Sequence, residues 1–205
     1  VDLLFDGAVR RFDKTPAELA LFAGLNAAIV LCNGERPQIV ADWLRYHSAH
    51  HGLQGAILLD RSGPKPDGSL ARRLERALSR QPADGLETVV VLTSDVPLGR
   101  PGFGPEAHPF NAPDAPGKDR MTPPEEDPWA APFGEAIVFE LLRCWFLDQA
   151  RAVVNIEAYD LLRPASPKTV FDLAIESDVG MIPMISERIF PWGRRRKQQN
   201  RYCLC

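Results

Sequence analysis

Ala27-Ala28-Ile29-Val30-Leu31-Cys32, set between Asn26 and Asn33-Gly34, is an unbroken apolar run. A strand with one wet face would alternate apolar and polar residues. An unbroken run of this length reads instead as a strand covered on both faces, as in a parallel sheet. The residues downstream support that reading. Pro37 opens a helix that runs to about His51, with Ile39, Val40, Trp43, Leu44 and His47 on one face, and Gly52 ends it. Ala56-Ile57-Leu58-Leu59-Asp60 is a second run of the same kind. The two strands and the helix between them make a β-α-β unit, which closes right-handed.

The pattern repeats outward. A Gly- and Pro-containing loop from Ser62 to Gly68 leads to an amphipathic helix over Leu70 to Leu78, then to a third apolar strand, Thr88 to Thr93. A further helix is predicted from Gly134 to Gln149, a fourth strand from Arg151 to Glu157, a short helix from Thr169 to Glu176, and a last strand from Val179 to Ile185. On the amino-terminal side, Thr15-Pro16-Ala17-Glu18 has the make-up of a helix start. The expected class is α/β: a Rossmann-type, mainly parallel sheet with helices on both faces. Residues 94–133 stand apart, rich in Pro and without hydrophobic period, as a long loop. Loops of this length inside a domain tend to be lids or binding loops. Phe103, Phe110 and Trp129 are expected to pack it on the body, and Lys118 or Arg120 to reach a phosphate if it closes; the alternative is a solvated surface loop.

Composition bounds the rest. At 205 residues, 45% of them hydrophobic and 25% charged, the chain suits a single globular domain spanning 1–205. It begins at Val1 rather than Met and ends soon after Arg194-Arg195-Arg196-Lys197, as a fragment of a longer protein would. A net charge of −3 argues against nucleic acid as partner, although that basic run could touch an anionic membrane surface or glycan. No apolar stretch is long enough for a transmembrane segment. Cys32 and Cys144 lie in apolar runs and read as core residues, and Cys203-x-Cys205 lacks the further ligands of a zinc site, so a reducing compartment is expected. His47, on the apolar face of its helix, reads as a core histidine held by a backbone carbonyl; His50 and His51 would complement the helix dipole.

In open parallel sheets, ligands bind beyond the carboxyl ends of the strands. There the chain carries Asn33 and Glu35, then Asp60 and Ser62, Thr93-Ser94-Asp95, and Asn155, Glu157 and Asp160. Neither a Gly-rich dinucleotide loop nor a P-loop follows the first strand, and no G-x-S-x-G elbow is present. Such a sheet can still hold a nucleotide diphosphate through a divalent cation on oxygen ligands.

Cys32-Asn33-Gly34-Glu35, Asp42-Trp43-Leu44, Tyr46-His47 and Leu58-Leu59-Asp60-Arg61-Ser62, in that order, resemble the opening of GT-A fold glycosyltransferases of families 2 and 92. Val153-Val154-Asn155-Ile156-Glu157-Ala158-Tyr159-Asp160 is similar to the strand that carries their D-x-D metal motif, with Asn and Glu where the family has two aspartates. The resemblance spans about residues 26–192. It implies a GT-A-like fold and transfer of a sugar from a nucleotide-sugar donor to a glycan or related acceptor. Asn33, Glu35, Asp60 and Ser62, with Lys118 and Arg120 from the loop, would bind the nucleotide. Asn155, Glu157 and Asp160 would hold Mn²⁺ or Mg²⁺, more weakly than a full D-x-D because fewer ligands are charged. A carboxylate base would take the acceptor proton, with Glu187 and Asp172 as the positions available. The family further implies polysaccharide assembly; the expected place is the cytoplasm, at the inner face of the membrane where the basic run touches it. The rival expectations are a catalytically impaired glycosyltransferase-like binding protein and an unrelated α/β enzyme.

Overall fold

The computed structural model describes residues 2–5, 8–11, 17–63, 69–94, 96–106, 108–111, 117–163 and 167–185. Two short strands, β1 (Asp2–Phe5) and β2 (Ala8–Arg11), pair antiparallel. The body is an α/β unit in the order β3 (Asn26–Cys32), α1 (Pro37–His51), β4 (Gly55–Asp60), α2 (Ser69–Arg80), β5 (Thr88–Thr93), α3 (Glu135–Leu142), β6 (Ala152–Asn155) and α4 (Val170–Glu176). The four strands β3 to β6 form one all-parallel sheet in the order β5-β4-β3-β6. The chain builds outward from β3 through β4 to β5, then returns to the other side of β3, so the order reverses between β3 and β6.

The unbroken apolar strands are covered on both faces, as their composition requires. Ala28, Val30, Cys32, Ala56 and Leu58 meet Val40, Leu44, Leu70, Leu74 and Phe171 from α1, α2 and α4. Ala27, Ile29 and Ile57 meet Phe22, Leu142 and Leu147 on the opposite face. Helix α3 passes into a π-helical turn at Arg143–Leu147. That turn brings Leu142 and Leu147, five positions apart, both to the sheet, where a regular α-helix would rotate one of them away. Gly55 opens β4 because a Cβ there would meet the Phe22 ring at 2.7 Å.

Helix α1 starts at a Pro in its first turn and ends at Gly52, whose left-handed φ of 66° lets its N–H reach Ser48 O at 3.2 Å. Helix α4 starts with a capping box: Thr169 and Asp172 each accept the other's backbone N–H.

Several expectations are corrected. Val179–Ile185 is not a strand: Gly180 adopts φ 65°, Pro183 lacks an N–H to donate, and Val179, Met181 and Ile185 are exposed. The fourth strand is shorter than predicted, ending at Asn155 rather than Glu157. Cys144 is exposed, not core, because it sits on the outer side of the π turn. Thr15 and Pro16 lie outside the described residues, and a 3-10 turn at Leu19–Phe22 follows them. The basic run and Cys203-x-Cys205 also lie outside the described residues. No helix among the described residues is long and apolar enough to cross a membrane.

Candidate functional site

The strand order reverses between β3 and β6, and open α/β folds place their ligands at the carboxyl end of such a switch point. The β3 side of this rim is a tight turn. Gly34 takes φ 94°, and Glu35 folds back so that its carboxylate accepts the Asn33 N–H. Asp60 pairs in register with Cys32 on one side and Thr93 on the other. It is buried, and its Oδ1 accepts the Ser62 N–H at 3.0 Å. Burial, reinforced by the charges of Glu35 and Asp60, pushes the Cys32 thiol up to about 12 and keeps it protonated. Cys32 thus records that both carboxylates lie close to the end of β3. The structure brings Asn33, Glu35, Asp60 and Ser62 to one rim.

Beside them sits Arg61, a group that no local motif marks out. It is 7% exposed, and its Nη2 donates to Ala131 O at 2.8 Å. Its guanidinium lies 5.0 Å from the centre of the Phe133 ring. Its Nε is buried without a hydrogen-bond partner among the described residues. Desolvation lowers the Arg61 pKa, opposed by the charge of Glu106. Arg61 ties the long loop down. Phe133 packs on Leu31 and Leu59, and Gly99 bridges to Phe133 in antiparallel sense. Arg100 N to Pro132 O, Glu106 N to Ala130 O and Asp127 N to Phe103 O continue an irregular ladder between the two arms of the loop. Residues 98–106 and 126–134 are therefore a strap fastened over the ends of β3, β4 and β5. Ser94, Val96, Leu98 and Trp129 join Asp60 and Arg61 around a small recess beneath it.

The tip of the strap behaves differently from the expectation. Phe103 is 44% exposed, so it does not anchor the loop, while Trp129 and Phe110 are half-buried. Lys118 rests with its Nζ 5.2 Å from the centre of the Phe110 ring, and Arg120 faces Asp119 at 3.8 Å.

The segment that follows β6 is held by α1 and passes along it toward Gly52, whose carbonyl accepts from Asn26 at the amino end of β3. Trp43 Nε1 donates to Asp160 O at 2.8 Å, Tyr46 Oη to Leu162 O at 2.7 Å, and His51 Nε2 bonds the same carbonyl at 2.8 Å. His47 Nδ1 is 2.9 Å from Trp43 O, and its Nε2 accepts the Leu162 N–H at 3.2 Å. The Leu162 donor fixes the tautomer, with the proton on Nδ1. His47 is thus the core histidine bonded to a carbonyl that its position implied. Burial pushes it down to about 4, with smaller contributions from His51 and His50. His51 is buried rather than serving as an exposed cation at the helix end, and burial lowers its pKa too.

Asn155, Glu157 and Asp160 do not share one position. Asn155 pairs with Ile29, three residues before the end of β3, and so starts about 10 Å below the rim on the α3 face of the sheet. Asp160 turns its carboxylate back to the Glu157 N–H at 3.2 Å. Among the described residues no group of three or more His, Cys, Asp or Glu side chains gathers as a metal would need.

Asp172 lies at the other end of the sheet. Its carboxylate meets Arg151 Nη2 at 2.6 Å, and Arg151 Nη1 meets Asn26, the first residue of β3, at 2.8 Å. The bonds from Arg151 and Thr169 hold its carboxyl down at about 2. Asp172 is a clamp and a helix cap, remote from the rim where a base would act. Glu187 lies outside the described residues. No protein-family model, curated protein or solved structure matches this chain.

Proposed function

We propose that the chain binds a nucleotide sugar at the carboxyl rim between β3 and β6 and transfers its sugar, as a GT-A-like glycosyltransferase. The observation that carries this reading is a buried carboxylate, Asp60, at the end of β4 beside the Cys32–Glu35 turn, one strand away from the point where the strand order reverses. A carboxylate so placed accepts hydrogen bonds from ribose hydroxyls or base N–H groups. Asn33 and Glu35 lie on the same side, and Trp43 of α1 holds Asp160 in the segment that follows β6. Transfer breaks the bond from the anomeric carbon to the diphosphate oxygen and forms one to an acceptor oxygen, whose proton passes to a carboxylate. The diphosphate takes the bonding pair and needs a cation, which Mn²⁺ or Mg²⁺ on Glu157 and Asp160 would supply.

A second reading, donor binding without a resident metal, is favoured by one feature. Asn155 starts below the rim, and Asp160 spends a carboxylate oxygen on its own turn. Calorimetric titration with UDP and GDP, each with and without Mn²⁺, tests both. Metal-dependent binding supports the enzyme, and metal-indifferent binding supports the second reading. If neither nucleotide binds under any condition, the proposal fails.

A further inference from the structure

A separate basic groove runs along the outer side of α1 and α2, away from the strap. It encloses about 540 Å³ and is lined by Pro37, Gln38, Arg45, Arg73, Arg76, Ala77, Arg80 and Gln81. That volume lies in the range of small-molecule sites. Its floor is rigid. Arg45 donates to Gln81 O and Ala77 O, each at 2.8 Å, and pairs with Asp42 at 2.7 Å. Arg45 is therefore committed to joining the two helices, and its charge is balanced.

Among the described residues the other arginines are not balanced. Among the described residues, Arg73, Arg76 and Arg80 form no ion pair and no hydrogen bond through their guanidinium groups. They stand at i, i+3 and i+7 of α2, so they share a face, and like charges at such spacing repel and weaken a helix. Arg80 has a local justification, since a cation in the last turn complements the helix dipole. Arg73 and Arg76 have none. In a chain of net charge −3, an uncompensated cationic cleft is a local feature and not the spill-over of a basic protein. Arginine, with its planar fork of donors, suits the paired oxygens of phosphoryl groups.

Shape and surface select the occupant. The groove is concave, and no large apolar side chain of α1 or α2 is exposed beside it to enter a lipid layer. We propose that this groove is a binding site for a soluble, multiply phosphorylated small molecule, held by Arg73, Arg76 and Arg80. The site is independent of the nucleotide reading of the rim.

Calorimetric titration of the whole chain with tripolyphosphate, at two salt concentrations, tests it. Binding is expected, weakening as salt rises. The double variant R73A/R76A should lose at least tenfold in affinity, while R72A, outside the groove on the same helix, should change less than twofold. These side chains are exposed, and far-ultraviolet circular dichroism would confirm that each variant is folded. R73Q/R76Q provides a second pair that keeps side-chain length. Absence of tripolyphosphate binding would overturn the proposal, as would equal losses in R72A and the double variant. Sedimentation with phosphatidylglycerol vesicles that tripolyphosphate cannot compete away would overturn it in favour of a membrane surface.

Discussion

The two ends of the parallel sheet handle charge in opposite ways. At the amino end, Asn26, Arg151, Asp172 and Thr169 form a closed chain of bonds in which both charges are paired and the helix start is capped. At the carboxyl end, Asp60 and Arg61 are both buried yet do not bond each other, and an Arg61 N–H is left without a partner among the described residues. Burying polar groups with unspent bonding capacity costs stability. The amino end is thus built to hold the fold, and the carboxyl end is where the molecule keeps polar groups available.

Acid should most visibly separate the segment after β6 from the clamp at the amino end. Burial holds the His47 pKa at about 4 in the folded chain, against an ordinary value of 6.5. Its contribution is complete above 6.5 and is lost as pH falls toward 4, because the unfolded chain binds the proton first. The loss is roughly 3 kcal/mol. Protonation also removes the acceptor for the Leu162 N–H, so the segment after β6 should loosen. Asp172 behaves otherwise: held at about 2 against 3.8, it keeps its contribution until pH falls below 3.8. Site-resolved hydrogen exchange between pH 7 and 4 should therefore show residues 157–162 losing protection while Arg151 and Thr169 keep theirs.

The next effect is on binding. Asp60→Asn keeps an oxygen for the Ser62 N–H but removes the charge. Nucleotide diphosphate affinity should fall about thirtyfold, near 2 kcal/mol, with little change in stability. Arg61→Met removes the bond to Ala131 O and the contact with Phe133. Limited proteolysis within residues 98–134 should quicken about tenfold, since the strap opens more often. The smallest change belongs to the amino end: Thr169→Ala removes the cap of α4 and should cost about 1 kcal/mol in denaturant unfolding, with binding unaltered.

The sheet was legible because its strands announce themselves. Val30, Leu31, Leu58 and Leu59 are buried, and no polar residue interrupts their runs. Pro37 and Gly52 marked α1 to the residue. The rim group Asn33, Glu35, Asp60 and Ser62 was legible for the same reason: each lies at or just past a strand end that was clear. What could not be read depends on partners distant in sequence. Arg61 meets Ala131 and Phe133, some seventy residues on, and no local pattern forecasts that contact. The same holds for the bonds from α1 to Leu162. Asp172 was a candidate base by position alone, but its charge is spent on Arg151 and on the cap. Val179–Ile185 has strand-like composition but no fitting backbone, given Gly180 and Pro183.

Hydrogen exchange with and without saturating UDP or GDP, each with and without Mn²⁺, tests where the ligand sits. Added protection is expected at residues 33–35, 60–62 and 157–160, with no change at Asn26, Arg151 and Asp172. Protection confined to the amino end, or none at the rim while nucleotide is bound, would contradict a nucleotide site at the carboxyl rim.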